Sequence, residues 1–92
     1  MSVAPTAQRI ADAAAREVVT LAGRVVALQV EPHDAAPQLT ARIDDGTGRI
    51  DAVFMGRRVI PGIEAGVQLT IEGRISDADA RPRIYNPRYW LS

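Results

Sequence analysis

The chain has 92 residues, 47% of them hydrophobic and 24% charged, and its eleven arginines balance eleven acidic residues at a formal net charge of zero. This length suits one small domain and excludes an enzyme built from separate cofactor and substrate domains. The apolar share is too high for a disordered chain, and no apolar run approaches the roughly 18 residues of a membrane span. Cysteine is absent, which excludes disulfides and zinc thiolates.

The first sixteen residues are rich in alanine and differ from the rest. Thr6 can cap a short helix there, and Ile10 is the one large apolar side chain of residues 4–16. We therefore expect a helical or flexible lead-in at 1–16, followed by a single domain at 17–92. The N-terminus lacks a basic segment followed by an apolar one, so we expect no secretory signal and a cytoplasmic location.

A long β-branched run at 17–30 predicts the first strand, and Gly23 predicts a bulge or bend in its middle. Residues 31–37 then predict a loop. The alternation of 38–44 and 49–55 predicts two strands with one buried face each, and that pattern turns Phe54 inward. Asp45-Gly46-Thr47-Gly48 between them is typical of a tight turn, because glycine supplies the positive φ.

The second half of the chain is less regular. Residues 56–66 predict an irregular connection, because proline and glycine break a helix there. Residues 67–75 predict a fourth strand and 83–86 a short fifth strand, with an acidic loop at 76–80 between them. Residues 87–92 close the chain.

Five strands in about 75 residues predict an all-β fold, a closed sheet with a short N-terminal helical lead-in. The longest connection falls between the third and fourth strands, which is the order of the OB-fold, a five-stranded Greek-key barrel. A small SH3-like barrel and an open meander are competing geometries that periodicity does not separate.

Several strings of the sequence carry a family resemblance. They are Gly23-Arg24-Val25-Val26, residues 42–48, Gly66-Val67 with Gly73-Arg74-Ile75, residues 56–64, and Tyr85-Asn86-Pro87-Arg88-Tyr89. Over residues 17–91 the chain resembles the anticodon-binding type of OB-fold, a group that includes the wedge domain of the RecG branch-migration helicase. It is more closely similar to small free-standing actinobacterial OB-fold proteins that bind nucleic acid. The resemblance implies the fold, and by association nucleic-acid binding.

OB-folds bind single strands on the face of the second and third strands. Alternation turns Thr40 and Arg42 of the second strand outward, with Arg49, Asp51, Val53 and Met55 of the third. Arg24, Arg57 and Arg58 are candidates to flank this face. Arginine suits the task, since it pairs with phosphate and stacks on bases. The alternative for Arg42 and Arg49 is pairing across strands with Asp51, Asp44 or Asp45.

A second candidate patch lies near the C-terminus, where Arg83, Tyr85 and Arg88 interleave cations with an aromatic ring. Arg81, Tyr89 and Trp90 are close in sequence. The alternative is that Tyr89, Trp90 and Leu91 fold back and cover one end of the barrel.

Catalysis is poorly supported. His33 is the one histidine and falls in a proline-rich loop, and the sequence shows no Ser/His/Asp set, metal-ligand spacing or phosphate loop. Asp44 and Asp45 fit turn chemistry better than a cation site. We expect no catalytic residue, no metal and no cofactor.

The sequence thus favours a non-catalytic module that binds single-stranded or branched nucleic acid, either DNA or RNA. We expect this binding to be weak and to depend on contacts with the phosphate backbone of the nucleic acid. The alternative is a protein-interaction adaptor without a nucleic-acid ligand, whose contact surface would include Val53 and Met55.

Overall fold

The computed structural model describes residues 4–32, 36–77 and 81–91, and most of them lie in strands. The six strands are β1 (Val18–Pro32), β2 (Pro37–Asp44), β3 (Arg49–Met55), β4 (Gln68–Arg74), β5 (Arg83–Tyr85) and β6 (Arg88–Leu91). They form one sheet in the order β5-β3-β2-β1-β4-β6. The β3–β5 pair is parallel and the other pairs are antiparallel.

Strand β1 belongs to two ladders. Its first part pairs with β4 up to Arg24, and from Arg24 onward it pairs with β2. A Cβ on Gly23 would lie 2.6 Å from the carbonyl oxygen of Asp44, so only glycine fits beside β2 at the point of exchange. The register irregularity falls at Val26, between Val25 and Ala27, so the expected bulge at Gly23 was placed three residues too early.

The predicted fifth strand at 83–86 is confirmed as β5, but the closing segment 87–92 contains a sixth strand, β6, at the opposite end of the sheet. Only Asn86 and Pro87 separate β5 from β6. Asn86 adopts a left-handed conformation with φ of 50°, donates its amide to the carbonyl of Val53 (2.7 Å), and accepts the amide of Met55 on its side chain (2.9 Å). The sheet is therefore not closed by a full ladder, although a single bridge joins Ile75 to Ile84.

This topology is that of the OB-fold, which confirms the predicted class and excludes a simple meander, because β3 and β5 run parallel. Buried side chains of β1 to β5 supply most of the core. Its members include Leu21, Ile43, Ile50, Phe54, Leu69, Ile71 and Ile84. Ile60 and Ile63 come from the irregular β3–β4 connection and are also buried. No helix in the described ranges is long and apolar enough to cross a membrane.

The lead-in contains one 3₁₀ turn, Ile10–Asp12, in place of a helix capped by Thr6. Arg9 precedes that turn, and its own side chain makes no capping hydrogen bond. Ile10 is buried in the core, and its amide donates to the Asp45 carboxylate (2.9 Å). The segment around Ile10 therefore docks on the β2–β3 turn.

Asp45 organises that turn as well as the lead-in. Burial alone would raise the pKa of Asp45, but hydrogen bonds from the Thr47 hydroxyl and from the amides of Ile10, Thr47 and Gly48 outweigh it and lower the pKa to about 2. Gly46 has the positive φ of 87° that the Asp-Gly sequence predicted.

We expect Asp45→Asn to lower the free energy of unfolding by about 1–2 kcal/mol at neutral pH, because it removes a charged acceptor shared by several donors. The folded-state pKa of Asp45 lies below its ordinary value of 3.8, so the carboxylate stabilises the fold above about pH 4. That contribution is lost as the pH falls towards 2.

Urea unfolding of the two proteins should therefore show a stability difference that shrinks between about pH 4 and about pH 2. Asp12→Asn, at an exposed carboxylate of the 3₁₀ turn in the lead-in, serves as the control. A difference that stays constant over this pH range would contradict the role assigned to Asp45.

Candidate nucleic-acid interface

The outer face of β1, β2, β3 and β5 carries two rows of side chains in register. One row runs from Ala27 through Arg42 and Asp51 to Arg83. The next row consists of Gln29, Thr40, Val53 and Tyr85. These rows contain Thr40, Arg42, Asp51 and Val53 of the face that sequence alternation assigned to a ligand, whereas Arg49 lies one pair further along, across from Asp44.

Two adjoining depressions of about 360 and 310 Å³ cross this face and share Arg42, Asp51 and Arg81. We call them together the arginine groove. Its polar and charged lining residues include Thr40, Arg42, Arg49, Asp51, Arg81 and Arg83. Four arginines thus line one groove of a chain that has no net charge.

A nearly buried ion pair forms the floor of the arginine groove. Arg42 Nε donates to Asp51 Oδ1 at 3.1 Å, and the two side chains are 32% and 5% exposed. The alternative that we weighed for Arg42, pairing across strands with Asp51, is confirmed. Arg42 still has guanidinium surface in the groove, but part of its charge is neutralised.

Arg49 is held at one end of the groove by the β2–β3 turn. Its Nε donates to Asp44 Oδ2 at 2.8 Å, and this hydrogen bond is the largest cause that lowers the pKa of Asp44. The Arg49 side chain remains 64% exposed, so the pairing with Asp44 leaves it accessible to a ligand.

The parallel β3–β5 pair brings part of the predicted second patch into the first. Arg83 lies directly across from Asp51, and Tyr85, which is 41% exposed, lies across from Val53. Arg81 precedes β5 and lines both depressions. Sequence reasoning kept these residues apart because a parallel pairing between distant segments leaves no local period.

Val53 does not present a surface to a ligand, although alternation places it on the outer face. It is completely buried between Thr40 of β2 and Tyr85 of β5. Its expected role as an exposed contact, for nucleic acid or for a protein, was therefore wrong, because β5 covers that side of β3. Thr40 is half-buried, and Met55 is exposed at the end of the strand.

The remaining arginines that the sequence assigned to the ligand face and its flanks lie outside the groove. Arg24 borders a separate shallow depression beside Gly66. Arg57 and Arg58 are exposed in the β3–β4 connection. This connection begins beside β2, since the amide of Gly56 donates to the carbonyl of Pro37 (2.8 Å). The residues lining the arginine groove include none of these three.

Arg88 lies elsewhere, on β6 at the other end of the sheet. It pairs with Glu72 at 3.5 Å and stands over the Trp90 ring at 5.5 Å. Tyr89 contacts the core ring of Phe54 edge-on at 5.7 Å, as the covering role predicted for it requires. Trp90 alternates with Tyr89 along β6 and lies across from Thr70, on the opposite face of β4.

Asp44 and Asp45 serve the turn, as expected, because their carboxylates accept the amides of Gly46, Thr47 and Gly48. Across residues 4–32, 36–77 and 81–91 there is no group of three metal-ligating side chains. His33 lies outside the described residues.

Comparison with known proteins agrees with this architecture. Residues 19–91 match the family model of the tRNA anticodon-type OB-fold nucleic acid binding domain, and the chain belongs to that family. No curated protein matches it. Among solved structures, it is similar to RecG bound to a three-way DNA junction, with a TM-score of 0.72 and 17% sequence identity. The match covers 85% of this chain and 11% of that chain, and at this identity it shows the fold alone.

The two ion pairs at the groove should differ in strength. In a double-mutant cycle of Arg42→Gln and Asp51→Asn, we expect a coupling energy of about 1–3 kcal/mol, because Asp51 is nearly buried. The matched cycle of Arg49→Gln and Asp44→Asn should give a clearly smaller coupling, because water screens that pair. Equal couplings, measured by urea unfolding, would mean that Arg42 is as available to a ligand as Arg49.

Proposed function

We propose that the chain is a non-catalytic module that binds single-stranded or branched nucleic acid in the arginine groove. The observation that carries this proposal is the convergence of Arg42, Arg49, Arg81 and Arg83 on the outer face of β2, β3 and β5. Membership of a family of nucleic-acid-binding OB domains supports it.

The chemistry of the groove suits a phosphate backbone. Guanidinium groups donate in a fixed fork that matches phosphate oxygens, and Arg49 and Arg81 present such groups at the surface. Tyr85 adds one aromatic face next to Arg83, on which a base can stack. The groove crosses β1, β2, β3 and β5, so it can follow an extended strand.

The same groove implies weak, salt-sensitive binding. Asp51 neutralises part of Arg42, Asp44 part of Arg49, and Glu31 adds a carboxylate to the lining. Strong single-strand binders place several aromatic platforms along the strand, and Tyr85 is the one exposed ring on this face of the described residues. Binding therefore depends mainly on displaced counterions.

Branched nucleic acid is included because the similar RecG structure holds a three-way DNA junction. The non-catalytic role is supported by the side chains of the groove. Of its two carboxylates, Asp51 is paired with Arg42, and Glu31 lies at the β1 side. The described residues that line the groove include no serine, cysteine, histidine or lysine to serve as a nucleophile or base.

The position of the site can be tested with two matched double variants. Arg81→Ala with Arg83→Ala removes two charges from the groove, and Arg57→Ala with Arg58→Ala removes two from the β3–β4 connection. We expect the first to flatten the dependence of log Kd on log salt by about two units, since each phosphate contact contributes close to one. The second should then change the slope less.

Fluorescence anisotropy with labelled DNA and RNA oligonucleotides provides the measurement. If only Arg57→Ala with Arg58→Ala changed the slope of log Kd against log salt by about two units, the binding site would lie at the β3–β4 connection and not in the arginine groove. A Kd weaker than about 100 μM at low salt for DNA and RNA alike would reject nucleic-acid binding.

Tyr85 provides an independent test of stacking. Tyr85→Ala should weaken oligonucleotide binding by about 1–3 kcal/mol, with little change in the salt dependence, because a stacked base displaces no counterion. Tyr85→Phe keeps the ring and should bind like the unmodified chain. Equal losses for both variants would show that the hydroxyl, and not the ring, contributes.

A further inference from the structure

The second half of β1 uses only one of its two edges. Strand β4 occupies the other edge as far as Arg24. The two residues before β4 occupy it at Val25, whose amide donates to the carbonyl of Val67 (2.9 Å) and whose carbonyl accepts the amide of Gly66 (2.7 Å). The bulge at Val26 then bends β1 away from β4. From Val26 to Val30, no strand of the described residues pairs with this edge.

This open edge lacks the protection that edge strands normally carry. Residues 26–30 contain no charge and no proline, and Val26, Leu28 and Val30 are 44%, 37% and 44% exposed. Unpaired backbone groups beside exposed β-branched side chains attract another strand. The edge therefore fits an extended partner whose apolar side chains alternate in the same way.

A second copy of this chain is such a partner. An antiparallel pair centred on Leu28 places Leu28 across from Leu28 and Val26 across from Val30, so the apolar side chains match under a two-fold axis. The pair ends at residues 26 and 30, because the next position, Val25, is already bonded to Val67 and Gly66. We propose that the chain forms a symmetric dimer through residues 26–30 of β1.

The dimer would also extend the nucleic-acid site, and this consequence rests on the proposed function. The two-fold axis of an antiparallel edge pair stands perpendicular to the sheet, so both outer faces lie on the same side. Ala27 and Gln29 line the arginine groove, so the two grooves would meet across the new ladder. Two weak sites on one strand then bind with higher avidity than either site alone.

The absence of cysteine allows a test of both dimerisation and register without nucleic acid. In the proposed pair, the two Leu28 Cα atoms lie about 4.5–5.5 Å apart, within disulfide range. The two Val30 Cα atoms lie about 14 Å apart, beyond that range. Under mild oxidation, Leu28→Cys should therefore crosslink at least about tenfold faster than Val30→Cys.

Val59→Cys, at an exposed apolar residue away from β1, is the control for random collision and should crosslink as slowly as Val30→Cys. A mixture of Val26→Cys and Val30→Cys should form the mixed disulfide faster than either protein forms its own. Equal rates for Leu28→Cys and Val59→Cys would overturn the proposed dimer.

Sedimentation equilibrium of the unmodified chain gives the second readout. We expect a species of twice the chain mass. Leu28→Lys should raise the Kd of this dimer at least about tenfold, and Val59→Lys should leave the Kd unchanged. A monomer at about 500 μM would reject the dimer. Because nucleic acid is absent, these results are independent of whether the arginine groove binds an oligonucleotide.

Discussion

The shared use of β1 by two ladders is the constraint on which the rest of the structure depends. Up to Arg24 this strand holds β4, and through β4 it holds β6; beyond that point it holds β2, β3 and β5. The exchange requires the backbone of β1 to lie against the carbonyl of Asp44, where Gly23 leaves no Cβ. The arginine groove lies on β1, β2, β3 and β5. It depends on this exchange, because β1 leaves β4 and pairs with β2 from Arg24 onward.

The groove combines a rigid floor with cations brought in by a returning segment. Arg42 and Asp51 form the floor as a nearly buried ion pair, and this pairing neutralises part of the charge of Arg42. Arg81 and Arg83 arrive on the segment that leads into β5, and the parallel ladder with β3 sets their position. A chain of zero net charge thereby gains a local excess of guanidinium groups on one face.

Local patterns predicted the elements that depend on neighbours in sequence. The alternation of β2, the limits of β3 and the positive φ at Gly46 follow from residue types alone. Residue types alone did not predict three other features. These are the separation of β5 from β6, the burial of Val53 and the position of Arg83 in the same groove as Arg42. Each depends on the parallel β3–β5 pairing, for which local periodicity carries no signal. The docking of Ile10 likewise depends on Asp45, which is 35 residues away.

The central claim is that the arginine groove is the surface on which nucleic acid binds. The most direct measurement is a titration of the ¹⁵N-labelled chain with a short single-stranded oligonucleotide, followed by amide chemical shifts. The account predicts that the shifts concentrate at Thr40, Arg42 and Tyr85, while Arg88 and Trp90 on β6 change little. Shifts confined to β6, or no shifts at low salt with either DNA or RNA, would contradict it.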